Sequence, residues 1–254
     1  MTRREVLGMG AVLAGGLVIG SKLMAAEKAA PAAKHKVIVW SEGTAPKEVY
    51  PNDIRGAIAE GLKPLDGWEI VTATLTDPGQ GVSEEALKTA EVLFWWGHQK
   101  HGDVKDETVQ RIVRRVKEDG MTFVSLHSSH FAKPYKALMG TPCSWKAYVA
   151  DGSSCKIIVK DAKHPITQGV KDFVLEHTER FTEPFAVPEP EAVPLDGLYT
   201  LPDKSTESAR MGFCWKVGKG KVFYFQPGHE TYPCYFDKNV QLIMRNVCEW
   251  AVEK

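Results

Sequence analysis

Glu91-Val-Leu-Phe-Trp-Trp-Gly97, then Val104 to Asp119, then Met121-Thr-Phe-Val-Ser-Leu-His127 together decide the fold. The first and last stretches read as strands, the first of them an unbroken apolar run from Val92 to Trp96. Between them Val109, Ile112, Val113 and Val116 recur at helical spacing, and Gly120 stops the run. Strand, helix and strand joined by short connections form a βαβ unit, which makes its strands parallel.

The same rhythm extends upstream. Lys36–Ser41 reads as a strand, Asn52–Leu62 as an Asn-capped helix, Glu69–Leu75 as a second strand and Ser83–Lys88 as a short helix. Downstream, His130–Met139 reads as a helix ended by Gly140. Beyond Thr141 the pattern changes. Cys155–Lys160, Phe173–Glu176 and Leu198–Leu201 read as strands, Phe213–Val217 and Lys221–Phe225 as a hairpin around Gly218-Lys-Gly220, and Asp237–Val252 as a closing helix. The expected fold is α/β: one domain with a parallel sheet of βαβ units and an elaborated C-terminal half.

Composition narrows the function. The 254 residues are 43% hydrophobic and 25% charged, with 32 basic against 32 acidic side chains. That balance removes the footprint of a general nucleic-acid binder, and the aromatic content argues against disorder. Residues 1–26 join Arg3-Arg4 to a glycine-rich apolar core and a small-residue exit, which reads as a twin-arginine export signal. A plain secretory signal or a retained anchor is the alternative. Residues 27–34 read as an Ala/Pro linker and 35–254 as the working domain. The expected location is periplasmic or extracellular, with no stable membrane insertion after processing. The five cysteines are odd in number and form no C-x-x-C pair, so neither a zinc knuckle nor a disulfide framework is expected.

In an open parallel sheet, ligands bind beyond the carboxyl ends of the strands. Five histidines fall there: His98 and His101 after the third strand, His127 and His130 at the fourth, His229 after the late hairpin strand. One shared site is expected. Neutral imidazoles suit zinc or manganese, so His98, His101 and His130 are candidate metal ligands. Metal-free acid/base work is the other reading, with His127 and His229 as catalytic candidates. Glu183 and Glu230 are the best acids nearby. Trp96, Phe131 and Tyr232 could stack on sugar faces, although Trp95 or Trp96 must also point into the core. Ser128 lies where a nucleophile elbow would fall, but it lacks flanking glycines and reads better as a helix cap or substrate contact.

Several stretches carry a family resemblance: Trp95-Trp-Gly-His-Gln-Lys-His101, Leu126-His-Ser-Ser-His-Phe131, Leu138-Met-Gly-Thr141, His164-Pro-Ile166, Glu183-Pro-Phe185 and Gly220-Lys-Val-Phe-Tyr-Phe-Gln-Pro-Gly-His-Glu-Thr-Tyr-Pro233. Here the chain resembles the ThuA-like family of trehalose utilisation. The resemblance implies a flavodoxin-like, doubly wound, mostly parallel sheet of the class I glutamine amidotransferase type and a link to disaccharides processed through 3-keto intermediates. It departs from the amidotransferase pattern where those enzymes need a nucleophilic Cys, having Ser128-Ser129 instead, so glutamine hydrolysis through a thioester is not expected. The expected activity is His-assisted cleavage of a 3-keto disaccharide or glycoside, with or without a metal. The rival is a non-catalytic carbohydrate- or partner-binding module. A small-molecule carbohydrate is the expected partner, with a homo-oligomer left open.

Overall fold

The computed structural model describes residues 35–253; the expected export signal and linker lie outside the described residues. The first eight elements alternate as the sequence predicts: β1 (His35–Ser41), α1 (Asp53–Leu62), β2 (Trp68–Thr74), α2 (Glu84–Leu87), β3 (Val92–Trp96), α3 (Asp106–Asp119), β4 (Thr122–Leu126) and α4 (Lys133–Met139). There follow β5 (Trp145–Val149), β6 (Ser154–Val159), β7 (Phe173–Leu175), β8 (Arg180–Phe185), β9 (Ala192–Thr200), β10 (Thr206–Val217), β11 (Gly220–Phe225) and α5 (Lys238–Val252).

Nine strands form one sheet in the order β2-β1-β3-β4-β11-β10-β9-β6-β7. The five from β2 to β11 are mutually parallel. Their order is that of a flavodoxin-like doubly wound sheet, whose switch point lies between β1 and β3. The remaining four attach antiparallel. β5 and β8 pair only with each other, as a separate two-stranded ribbon.

The continuous apolar runs serve both faces because successive side chains alternate. Val37, Val39, Phe94, Trp96 and Leu126 pack with Ile54, Ile58, Ile243 and Val247 of α1 and α5. Ile38, Trp40, Leu93, Trp95 and Phe123 pack on the other face with Ile112, Val116 and Tyr135 of α3 and α4. α3 stops at Gly120, whose φ of +87° closes the helix in the left-handed region. The helix expected from His130 begins instead at Lys133, next to a proline in its first turn. Residues His127–Phe131 form a tight 3-10 turn. All five cysteines are free and buried. Among the described residues, no helix is long and apolar enough to cross a membrane.

Candidate active site at the carboxyl edge of the sheet

β4 ends at Leu126, and the next residue, His127, adopts φ +47°. A non-glycine residue in this region is strained, and neighbours must hold it there. The His127 carbonyl accepts from Tyr224 Oη at 2.9 Å, and its ring stacks on Phe181 at 4.5 Å and 14°. The side chain has 0% exposure. Nδ1 lies 2.8 Å from the Gln226 carbonyl, which can only accept, so Nδ1 carries a proton. Nε2 lies 3.0 Å from Glu179 Oε2. A neutral imidazole and an ionised carboxylate cannot make that bond, so the pair shares one further proton.

Glu179 is placed by a zipper between two loops. Its backbone N–H and the Thr178 hydroxyl both donate to the Gly228 carbonyl, at 3.4 and 3.2 Å, and the Gly228 N–H returns a bond to Thr178 Oγ1 at 3.3 Å. This brings His229 beside it, with Nε2 at 3.9 Å from Glu179 Oε2. The Thr231 N–H donates to His229 Nδ1 at 3.2 Å, so the ring's proton sits on Nε2 and faces Glu179. Glu230 follows, with Oε2 at 3.7 Å from His229 Nδ1 and Oε1 at 3.5 Å from His98 Nε2. Glu230 Oε2 is buried and has no hydrogen-bond partner. The result is a chain of alternating imidazoles and carboxylates: His127, Glu179, His229, Glu230, His98.

Its electrostatics follow from burial and charge. Burial would raise the Glu179 carboxyl, but the His127 hydrogen bond and the surrounding imidazoles outweigh it and hold the group below its ordinary value. Burial lowers His229, against the pull of Glu230, so it is neutral at neutral pH. Burial also lowers His101 and takes His130 down to about 3.

Glu42, directly after β1, shapes the loop that carries His98. Its carboxylate accepts the Gln99 and Lys100 N–H groups at 2.6 and 3.0 Å and the Thr44 hydroxyl at 2.7 Å. Burial alone would raise this acid; the amides and hydroxyl outweigh it and keep it ionised. A cavity of about 570 Å³ opens beside this segment, lined by Gly43, Tyr50, Asn52, Asp53 and Arg55 among others. Tyr50 links it to the cluster by donating to the Tyr232 carbonyl at 2.6 Å.

The expected residues divide. His127, His229, Glu230 and His98 meet in the cluster, and Tyr232 lies 4.8 Å from the His229 ring. Glu183 does not join them: both its oxygens are held by Arg210, at 2.8 and 3.0 Å. The carboxylate facing the histidines is Glu179, four residues earlier. Trp96 cannot stack on a sugar, because β3 is covered on both faces and the side chain is 0% exposed. Ser128 caps nothing. Its hydroxyl donates to the Gly97 carbonyl at 2.8 Å while Ser129 Oγ accepts the Gly97 N–H at 2.7 Å, so both serines pin the β3 loop. The elbow position belongs to His127. His98, His101 and His130 are not brought together as a ligand set: His98 faces Glu230, and His130 Nδ1 donates to the Cys143 carbonyl at 2.6 Å. Among the described residues no three His, Cys, Asp or Glu side chains are grouped to hold a metal ion. Phe131 packs against His130 and Tyr148, half-buried at the margin.

The carboxylates Glu179 and Glu42 escape a reading built on histidines. Glu42 carried a usable sign, since it stands at a strand's carboxyl end like the histidines. Glu179 carried none, because it precedes a strand that the sequence does not announce.

A flavodoxin-like sheet with an elbow turn at its carboxyl edge defines the class I glutamine amidotransferase-like fold. A glutamine amidotransferase from Thermotoga maritima superposes with TM-score 0.51 at 11% identity, covering 87% of this chain and 99% of its own. Within that class the chain belongs to the ThuA family, described as trehalose utilisation, whose pattern matches residues 36–251. It is a carbohydrate-related protein of that type. ThuA-like proteins from Bacteroides uniformis and Parabacteroides merdae share the fold, with TM-scores of 0.63 and 0.62 at 17% and 13% identity. They cover 88% and 85% of this chain and 93% and 89% of their own. None of the curated proteins compared with the chain matches it significantly.

Proposed function

We propose that the imidazole–carboxylate chain cleaves a 3-keto glycoside by proton abstraction next to the ketone. The observation that carries this reading is the placing of the partly exposed Glu230 carboxylate beside the neutral imidazole of His229 and the Glu179–His127 pair. A ketone at C3 acidifies the C2 proton. Glu230 takes that proton, and the C2–H electron pair enters the enolate. The His229 Nε2–H stabilises the enolate oxygen as a neutral donor, a role that lowering by burial preserves. As the enolate collapses, C1=C2 forms, the C1–O bond breaks, and Glu179 passes the proton shared with His127 to the leaving oxygen. Buried His127 therefore acts through Glu179 and does not touch the sugar. Family membership supports the sugar context.

The test is turnover of 3-keto-trehalose in D₂O, followed by proton NMR. The expected result is release of glucose, and C2 deuteration of recovered substrate wherever abstraction is reversible. Glu230→Gln should lose at least about a hundredfold in rate, the scale of one general base. A chain that neither cleaves a 3-keto glycoside nor exchanges its C2 proton would overturn the proposal and favour a binding role.

A further inference from the structure

Among the described residues three large apolar side chains are exposed, and one of them, Tyr148, stands beside the cluster with 39% of its surface open. It lies on β5, and the ribbon register sets it opposite Phe181 of β8. Phe181 is two residues from Glu179, which directly precedes β8, and both of them touch His127. The Tyr148 ring is 5.4 Å from His130 at 12°, 5.0 Å from Phe181 at 82° and 5.7 Å from Phe131. Phe181 in turn stacks on His127. The Tyr148 hydroxyl already accepts the Trp145 N–H at 3.0 Å, so it is committed to the ribbon. One ring face rests on His130, and the exposed surface is what remains to offer.

We propose that Tyr148 is a stacking platform that holds a pyranose ring of the substrate over the Glu179 end of the cluster. A pyranose presents a flat patch of C–H groups on one face, and an aromatic ring with an open face fits it while the sugar hydroxyls turn toward polar partners. The ribbon thus supplies the surface that aligns the sugar, and the residue directly before β8 supplies the acid, Glu179. Tyr148 is a specificity residue, set on a two-stranded ribbon outside the main sheet. The proposal rests on the sugar-processing reading above and deepens it.

Tyr148→Ala and Tyr148→Phe separate this role from a structural one. With a 3-keto glycoside, Tyr148→Ala should raise KM about tenfold with kcat changed less than about twofold, the scale of one aromatic contact. Tyr148→Phe keeps the ring and should restore KM. A second readout is saturation-transfer NMR with unmodified trehalose: transfer to the ring C–H protons should be present in the wild type and Tyr148→Phe and lost in Tyr148→Ala. If Tyr148→Phe behaves like Tyr148→Ala, the hydroxyl bond to Trp145 is what matters and the platform is refuted. Unchanged KM and transfer in Tyr148→Ala, or no transfer in the wild type, also overturns it. If the wild type shows transfer but no turnover, the cleavage reading fails while the trehalose signal still decides the role of Tyr148.

Discussion

Four residues apart, Glu179 and Glu183 do different work. Glu179 sits 3.0 Å from a buried imidazole, whereas Glu183 makes a two-pronged contact with Arg210. Glu179→Gln should therefore abolish turnover of a 3-keto glycoside with little loss of stability. Glu183→Gln should keep most activity and cost about 1 kcal/mol, the worth of a partly exposed bidentate pair. Paired rate and urea-denaturation measurements check both; the reverse pattern would restore Glu183 to the site. His130 carries a second expectation. Burial keeps its folded pKa at about 3, against an ordinary value of 6.5. Below the ordinary value the unfolded chain binds a proton that the folded chain refuses, so stability falls as pH drops toward 3. The slope is about 1.4 kcal/mol per pH unit well below 6.5. Unfolding free energies at pH 7, 6 and 5 should fall more steeply in the wild type than in His130→Gln. Parallel slopes would show that His130 does not control this loss.

At the level of elements, the site depends on the close approach of two loops. A Cβ built on Gly228 would lie 2.7 Å from the His127 Cβ and 2.6 Å from Tyr235 Oη. Both neighbours are buried, so neither can retreat cheaply. Gly228→Ala should cost about 1–3 kcal/mol by overpacking and remove activity by pushing the loop that carries His229 away from His127. A variant that melts and turns over like the wild type would show that the approach is looser than these distances imply. Much of this architecture was legible beforehand. β1, β3 and β4 are buried on both faces, so they are rich in apolar residues and the parallel half declares itself. The ribbon does not, because β5 alternates exposed with buried residues and β8 contains Pro184. The same contrast governs the site: histidines at the ends of legible strands could be found, whereas Glu179, at the mouth of an illegible one, could not.

For the whole molecule, Arg3-Arg4 ahead of a glycine-rich core motivates an export experiment. A reporter carrying residues 1–30 should leave the cytoplasm, and the double change Arg3→Lys and Arg4→Lys should stop it. Unimpaired export would refute the twin-arginine proposal, since lysines preserve the charge a general signal needs. The buried free thiols suit that route, which carries chains already folded under reducing conditions.

β11 pairs with β4 in parallel, Val222 against Phe123 and Phe225 against Leu126, across roughly a hundred residues of chain. Closing so long a loop is entropically costly and slow, so this pairing forms late. A nascent chain that has emerged only as far as β9 contains the sequence of β1 to β4 with their helices, yet has no Gln226 carbonyl to orient His127 and no His229 or Glu230 at all. If the imidazole–carboxylate chain is the reactive centre proposed above, its competence arrives only with the last strand synthesised.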